Sequence, residues 1–597
     1  MEHTNQYPEG EWLKLEVRQD LKPSTSAPED DQTEDQLTWP IHTLRGPLWN
    51  YGKKNSLKDP DEVLFGSKKA SVDSQNPFIL EGMTWAPSKQ IKSSFIAYLF
   101  KCMKKNNPDH TALVEIETRR ALTYGELIHK AQSLASGLRW IGISPGQVVA
   151  VVSFNSLEAQ LMMLATLLVG SVVAIMDASL NAVDLAAQLR IITPHLLYCE
   201  GGKTLSKVET AMKYMMTSKP PQIIVSSPHH KAEKYLVVSQ LMREVEPNFQ
   251  PEFRKANPLN PIFILFSSGT TGMAKGALIS DRFFVNCQFF YQSVYTVAGI
   301  LYTTMLSSPL FWISTITNFI YHLHKGQRIV FFRGSPAEAV FISALHRYKV
   351  ALWVAGPAAL MYLLNWPVRP RCQTLNVIVT TGMGFPTKNL LRVRDQLFQG
   401  KVHICQVYGM TEAGILSGNS PRVNKLGTVG KIIGNGQMKV LEEGTGRTLG
   451  AYQEGELCFK TQSLMLGYYN NPEATEMMFD SDGFFHTGDL GYYDDEGFIF
   501  ITGRTKELIK WRSYQVAPVD VEAQLLALPE IKKAVVFGVP DEKEGELVTA
   551  AVILHPRYQA TTAQSIEAAA NLNLSNTRQI RGGVHFFQSF PNTTTGK

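Results

Sequence analysis

At 597 residues the chain is too long for one hydrophobic core and predicts two or more domains. With 44% hydrophobic and 19% charged residues it has the composition of an ordinary globular protein, and its net charge of +5 comes from 58 basic and 53 acidic residues scattered along the chain, so no basic tract points to nucleic acid. The six cysteines, Cys102, Cys199, Cys287, Cys372, Cys405 and Cys458, lie far apart with no Cys-x-x-Cys pair, which suits reduced thiols in a cytoplasmic setting and shows no metal knuckle.

Residues 1–75 carry Pro, Ser, Asp, Glu and Lys with little periodicity and read as a disordered extension. The first residues have neither a basic start nor an apolar core, so no secretory signal is expected. From Trp85 onward apolar runs alternate with helical patterns: strands over 148–153 and 172–176, helices over 156–168 and 182–191. The most membrane-like run, 161–176, is broken by Thr166, Gly170 and Ser171 and falls short of the ~20 residues a spanning helix needs. It predicts a buried helix ending near Gly170, followed by a strand. The alternation predicts a parallel sheet flanked by helices. The same texture returns as strand 326–332, helix 338–348, strand 352–355, helix 358–364 and strand 377–381. Beyond Lys439 short strands with Gly-rich turns take over. Residues 503–597 read as a small α+β unit with helix 519–528, strands 533–538 and 548–554, and helix 563–571.

Directly after an apolar run over 262–266 comes Ser267-Ser268-Gly269-Thr270-Thr271-Gly272-Met273-Ala274-Lys275-Gly276. Glycines let backbone N–H groups approach an anion, hydroxyls add donors, and Lys275 supplies a compact positive charge, which is phosphate-handling chemistry. The spacing is not that of a Walker A loop. Taken alone, this stretch is equally a flexible Ser/Gly turn. Four segments follow it in order: Tyr408-Gly409-Met410-Thr411-Glu412, Gly488-Asp489-Leu490, Gly503-Arg504-Thr505-Lys506-Glu507-Leu508-Ile509-Lys510, and Pro591-Asn592-Thr593-Thr594-Thr595-Gly596-Lys597.

Over roughly residues 80–597 this series resembles the adenylate-forming superfamily of acyl-CoA synthetases, 4-coumarate-CoA ligases, firefly-type luciferases and peptide-synthetase adenylation domains. The resemblance implies an α/β fold. A large domain over 76–502 would hold helix-flanked, largely parallel sheets and a distorted β-barrel subdomain, and a small mobile α+β domain would occupy 503–597. It implies ATP, Mg²⁺ and coenzyme A as cofactors and a small-molecule carboxylic acid as partner. By position in the motifs, Ser267, Ser268, Gly269, Thr270, Thr271, Gly272 and Lys275 would hold the departing phosphates. Thr411 would donate to the α-phosphate and Glu412 would hold Mg²⁺. Tyr408 would stack on adenine, with Thr381 and Gly382 lining the adenine and acyl pocket. Asp489 would accept from the ribose hydroxyls, with Arg504 as a second donor there. Lys506 would be the hinge between domains, Lys510 would be presented after rotation, and Lys597 would bridge the acid and the α-phosphate.

The chain departs from the family pattern at several points. Where relatives read Pro-x-Phe-His it has Pro309-Leu310-Phe311-Trp312, and where they read Gly-Gly-Ala-Pro or Gly-Ala-Ala-Pro it has Gly382-Met383-Gly384-Phe385. Phe311, Trp312, Met383 and Gly384 would line the acyl pocket, so both changes add side-chain volume there. Ser513 replaces a glycine and Ala274 a proline. The family continues some tens of residues past the last lysine, so the chain reads as truncated after Lys597. The implied activity is an ATP-dependent carboxylic acid–CoA ligase working through an acyl adenylate on a fatty or aryl acid. A nucleotide-binding protein with weak or lost catalysis and a luciferase-like monooxygenase stay open. A cytoplasmic location is expected, since the terminus lacks a Ser-Lys-Leu-type peroxisomal address.

Overall fold

A computed structural model describes residues 71–72, 79–81, 94–215, 219–226, 234–242, 259–267, 274–295, 302–334, 336–364, 366, 372–382, 385–511, 514–541, 544–558, 560–574 and 576–590. The extension expected over 1–75 lies outside these residues except for Ser71–Val72, which pairs as a short strand with Leu80–Glu81.

Two sheets form the large domain's centre. The first runs, in spatial order, Gly467–Tyr468, Lys275–Ser280, Pro261–Ser267, Val172–Asp177, Val148–Ser153, Leu196–Cys199, Gln222–Val225 and Leu236–Val237. The second runs Lys431–Ile432, Gly414–Gly418, His403–Met410, Val377–Thr381, Val350–Ala355, Thr303–Leu306, Arg328–Phe331, Thr111–Glu115 and Ala121–Thr123. Both are parallel in the middle; the first turns antiparallel only at its Gly467–Tyr468 edge, the second at both edges. Strands Val148–Ser153 and Val350–Ala355 are buried at every position, as expected of parallel strands covered on both faces.

The apolar run 161–176 resolves as the sequence predicts. Ser156 accepts from the Ala159 amide to start helix Leu157–Val169, and Gly170, at φ 81°, ends it in the left-handed region before strand Val172–Asp177. Twelve residues of that helix are buried, because it lies within the main core beside helix Tyr124–Trp140. No helix among the described residues is long and apolar enough to cross a membrane. All six cysteines are free thiols.

A third sheet, antiparallel, orders as Ser71–Val72, Leu80–Glu81, Gln437–Leu441, Gly455–Lys460, Phe485–Tyr493 and Ile499–Arg504, with Thr448–Leu449 beside Gln437–Leu441. It stands where the barrel subdomain was expected. The smaller C-terminal sheet orders as Tyr514–Val516, Ile509–Trp511, Gly545–Leu554 and Ile531–Asp541, with Val584–Phe586 beside Gly545–Leu554. Strand Ile531–Asp541 is longer than its apolar centre suggests, since cross-strand pairing with Gly545–Leu554 carries on through Pro540 and Asp541.

Polar contacts join the first two sheets. Glu115, fully buried, pairs with Arg120 and with Arg333 at 3.0 Å; Arg120 also pairs with Glu158, and Arg333 with Glu200 at 2.8 Å. Another buried carboxylate, Asp281, accepts from the Phe95 amide at 2.6 Å at the start of helix Phe95–Met103. Burial raises its pKa from 3.8 to about 6, against the pull of the Phe95 and Ile96 amides. The folded chain therefore keeps a proton there that the unfolded chain loses between pH ~4 and ~6, and stability falls as pH rises through that window, by about 3 kcal/mol for this group. Asp281→Asn cannot ionise. Its thermal midpoint is expected to fall less between pH 4 and pH 7 than that of the unaltered chain, and equal falls would rule out this assignment.

Candidate active site

Strands Pro261–Ser267 and Lys275–Ser280 form a hairpin that closes with Ser267 opposite Lys275. Residues Ser268, Gly269, Thr270, Thr271 and Gly272 of its loop lie outside the described residues. The Lys275 ammonium sits 5.1 Å from the centre of the Tyr468 ring, within cation–π range. Tyr468 belongs to the short strand Gly467–Tyr468, paired with the same hairpin. Its hydroxyl donates to Glu412 Oε1 at 2.9 Å, and burial, reinforced by the Glu412 carboxylate, pushes the Tyr468 pKa up.

Glu412 is 7% exposed and lies in the tight turn between strands His403–Met410 and Gly414–Gly418, with Thr411 half-buried before it. Two glycines permit that turn. A Cβ at Gly409 would come within 2.1 Å of the Gly414 carbonyl oxygen, and Gly414 adopts φ 64° against the Phe283 ring. The Glu412 carbonyl accepts from the Met465 amide at 2.7 Å, which ties the turn to the segment leading to Tyr468.

Four residues before Glu412, Tyr408 turns the other way. Its hydroxyl donates to Asp489 Oδ2 at 2.6 Å, while Arg504 Nε donates to Asp489 Oδ1 at 2.8 Å. Asp489 and Arg504 are cross-strand partners on Phe485–Tyr493 and Ile499–Arg504. Asp489 is 5% exposed, so these donors offset the cost of burying its charge. The Tyr408 ring is itself buried, with Phe459 at 6.0 Å, so the structure gives Tyr408 a hydrogen bond to Asp489 that the sequence did not reveal beside its expected aromatic face. Each Asp489 oxygen keeps one further acceptor position.

Strand Val377–Thr381 ends at Gly382, whose φ is 106°. The half-buried Trp312 indole lies across this end and the neighbouring one: a Cβ would meet it at 3.7 Å from Gly382 and at 3.5 Å from Gly356, just after strand Val350–Ala355. Its segment is pinned by Asn155, a buried residue in the turn after strand Val148–Ser153. Asn155 Nδ2 donates to the Ser308 carbonyl at 3.0 Å, and Oδ1 accepts from the Leu310 amide at 2.7 Å. Phe311 is half-buried beside Trp312, and Met383 and Gly384 lie outside the described residues.

Lys506 falls in the single 3₁₀ turn Thr505–Glu507, between the third sheet and the C-terminal sheet, and Lys510 in strand Ile509–Trp511, its backbone opposite Gln515. The side chains of both, together with Ser513 and Lys597, lie outside the described residues. The structure thus brings Lys275 and Glu412 to the same residue, Tyr468, and Tyr408 together with Asp489 and Arg504. Sequence reasoning missed Tyr468 and Asn155, whose partners are 56 and more than 150 residues away.

The family profile for the AMP-binding enzyme matches residues 100–469, and that for the AMP-binding enzyme C-terminal domain matches 520–597. The chain belongs to the AMP-binding enzyme family. It is an adenylate-forming protein of the acid–CoA ligase group, which implies a small-molecule acid and CoA as substrates. A probable 4-coumarate–CoA ligase of Dictyostelium discoideum is 28% identical over 510 residues, covering 83% of this chain and 92% of that protein. The luciferin 4-monooxygenase of Nipponoluciola cruciata is 30% identical over 485 residues, covering 80% and 87%. Among solved structures, ATP-bound MatB from Rhodopseudomonas palustris shares the fold with a TM-score of 0.75 at 22% identity, covering 85% of this chain and 97% of that one.

Tyr408→Phe would leave Asp489 Oδ2 buried without its donor, a loss of about 1–3 kcal/mol. Calorimetric titration with AMP is expected to show affinity reduced by about 5- to 150-fold. Unchanged affinity would mean that the Tyr408–Asp489 pair does not shape the nucleotide site.

Proposed function

We propose that the chain is an ATP-dependent carboxylic acid–CoA ligase acting through an acyl adenylate, with an aryl or fatty acid as substrate. One observation carries this reading. Strand His403–Met410 and the turn after it hold Tyr408 against Asp489 and Glu412 against Tyr468, whose ring lies beneath Lys275, so one element sets the spacing between an acceptor for ribose and a charged group for phosphate. The aryl side of the substrate class draws on relatives named for 4-coumarate and luciferin.

In adenylation the acid's carboxylate attacks the α-phosphorus of ATP and pyrophosphate leaves, so like charges must meet. Asp489 accepts from the ribose hydroxyls with its remaining lone pairs and holds the sugar in place. Lys275 places a positive charge on the leaving phosphates. The buried all-oxygen carboxylate of Glu412, oriented by Tyr468, fits a hard divalent cation, and Mg²⁺ held there would neutralise phosphate charge. Lys597 would bridge the acid to the α-phosphate. Rotation about Lys506 would then replace it with Lys510 for thioester formation.

A second reading, nucleotide binding without turnover, is favoured by the Trp312 indole lying across the strand ends at Gly356 and Gly382, where an acid would enter. Pyrophosphate–ATP exchange over a panel of medium-chain, long-chain and cinnamic-type acids separates the two. Exchange with at least one acid is the expected result, while ATP binding without exchange would favour the second reading. Light on adding luciferin, ATP and oxygen would point to the monooxygenase.

Two variants sharpen the assignment. Glu412→Gln is expected to cut exchange about 10²–10³-fold, as loss of a preorganised electrostatic contact does, and to raise the Mg²⁺ requirement. An unchanged Mg²⁺ dependence would remove the metal role from Glu412. Trp312→His, which shortens the side chain over Gly382, should extend exchange to bulkier acids; an unaltered acid profile would show that Trp312 does not bound the pocket.

A further inference from the structure

On the third sheet, away from Glu412, three donors of different chemistry converge. Cys458 on strand Gly455–Lys460 and His486 on strand Phe485–Tyr493 are directly opposite each other, and Cys458 Sγ lies 3.5 Å from His486 Nδ1. The same ring nitrogen lies 2.9 Å from Glu456 Oε2. The thiol sulfur, imidazole nitrogen and carboxylate oxygen all fall within 4.8 Å of one another.

We propose that Glu456, Cys458 and His486 form a binding site for a borderline-soft divalent cation of the Zn²⁺ type. Ligands at Zn²⁺ sit at about 2.0–2.3 Å, so tetrahedral neighbours are separated by roughly 3.2–3.7 Å. The sulfur and ring nitrogen already stand at that spacing, and a shift of about an ångström of the Glu456 oxygen, now 2.9 Å from the nitrogen and within 4.8 Å of the sulfur, completes the arrangement. A mixed S, N, O set selects this class of ion over Mg²⁺, which prefers oxygen alone.

The surroundings hold the donors in place. Glu456 Oε1 accepts from the Gly488 amide at 2.9 Å, which fixes the carboxylate and leaves Oε2 aimed at His486. The His486 amide donates to the Met478 carbonyl at 2.8 Å, anchoring the strand beneath the ring. Such outer hydrogen bonds orient first ligands in metal sites. The next cross-strand neighbour of Cys458 is Lys439, whose charge is already paired with Asp480 at 2.6 Å and Asp482 at 3.5 Å. Glu456 and His486 side chains are 21% and 29% exposed while Cys458 is buried, so an ion enters from the solvent side and a water completes its fourth position. On binding, the Cys458 thiol proton and the proton shared between His486 and Glu456 leave to solvent. Gly488, whose amide holds Glu456, directly precedes Asp489 in the chain.

The test uses the full chain and Co²⁺ as a spectroscopic probe, and needs no turnover. One equivalent of Co²⁺ is expected to give tetrahedral d–d bands and a sulfur-to-cobalt charge-transfer band, displaced by Zn²⁺ and unaffected by Mg²⁺. Cys458→Ser should abolish the charge-transfer band, and His486→Gln should weaken Co²⁺ binding by at least about tenfold. Far-UV circular dichroism checks that the variants fold. X-ray absorption at the zinc edge on the unaltered chain provides a readout without mutation: one sulfur at about 2.3 Å with nitrogen and oxygen at about 2.0–2.2 Å. The proposal is overturned if the unaltered chain gives no charge-transfer band, if the band survives Cys458→Ser, or if the zinc edge shows no sulfur.

Discussion

A carboxylate taken out of water must find donors, and the way Asp489 finds them fixes the geometry of the large domain's functional end. Its two oxygens accept from Tyr408 on the second sheet and Arg504 on the third, at 2.6 and 2.8 Å. Removing either donor would leave a buried charge under-satisfied, at a cost well above that of an exposed ion pair. The second and third sheets are therefore held in register by an electrostatic requirement that apolar packing alone does not impose. Because the chain runs from Tyr408 through a two-glycine turn to Glu412, the same contact sets where Glu412 meets Tyr468 and the Lys275 hairpin.

Elsewhere the architecture separates stiffness from adjustability. The first two sheets share a hydrophobic core and are joined at their strand ends by the Glu115–Arg333–Glu200 ion pairs and by Asn155. Open parallel sheets bind ligands beyond the carboxyl ends of their strands, and Trp312 lies across two such ends, at Gly356 and Gly382. The link from the third sheet to the C-terminal sheet is one 3₁₀ turn around Lys506, and the C-terminal sheet has its own core built on Trp511, Val516, Leu525 and Val548.

Most of the regular structure was legible along the chain because burial leaves a local imprint. Strands Val148–Ser153 and Val377–Thr381 and helix Ala563–Asn571 coincide with their apolar patterns, and Gly170 marks a helix end through its left-handed backbone. The ordered motifs likewise placed the chain in its family, since each is a short contiguous run whose residue types answer to phosphate or ribose chemistry. The edges were less legible: strand Ile531–Asp541 extends beyond its apolar core because backbone pairing, not side-chain type, determines where it ends.

The pairings that build the site had no such imprint. Tyr408 reads as an aromatic face in sequence, and only the fold brings Asp489, 81 residues on, to its hydroxyl. Tyr468 carried no signal at all, although it holds Glu412 and lies under Lys275. Asn155, in the turn after a strand of the first sheet, fixes the segment leading to Trp312, which follows a strand of the second, across 155 residues. Sequence by itself determined the family and the alternation of strands and helices, because periodicity and motif spacing are properties of neighbours in the chain. Tertiary structure alone decided which polar side chains meet, because a hydrogen bond depends on distance and direction in space and leaves no period in the sequence that makes it.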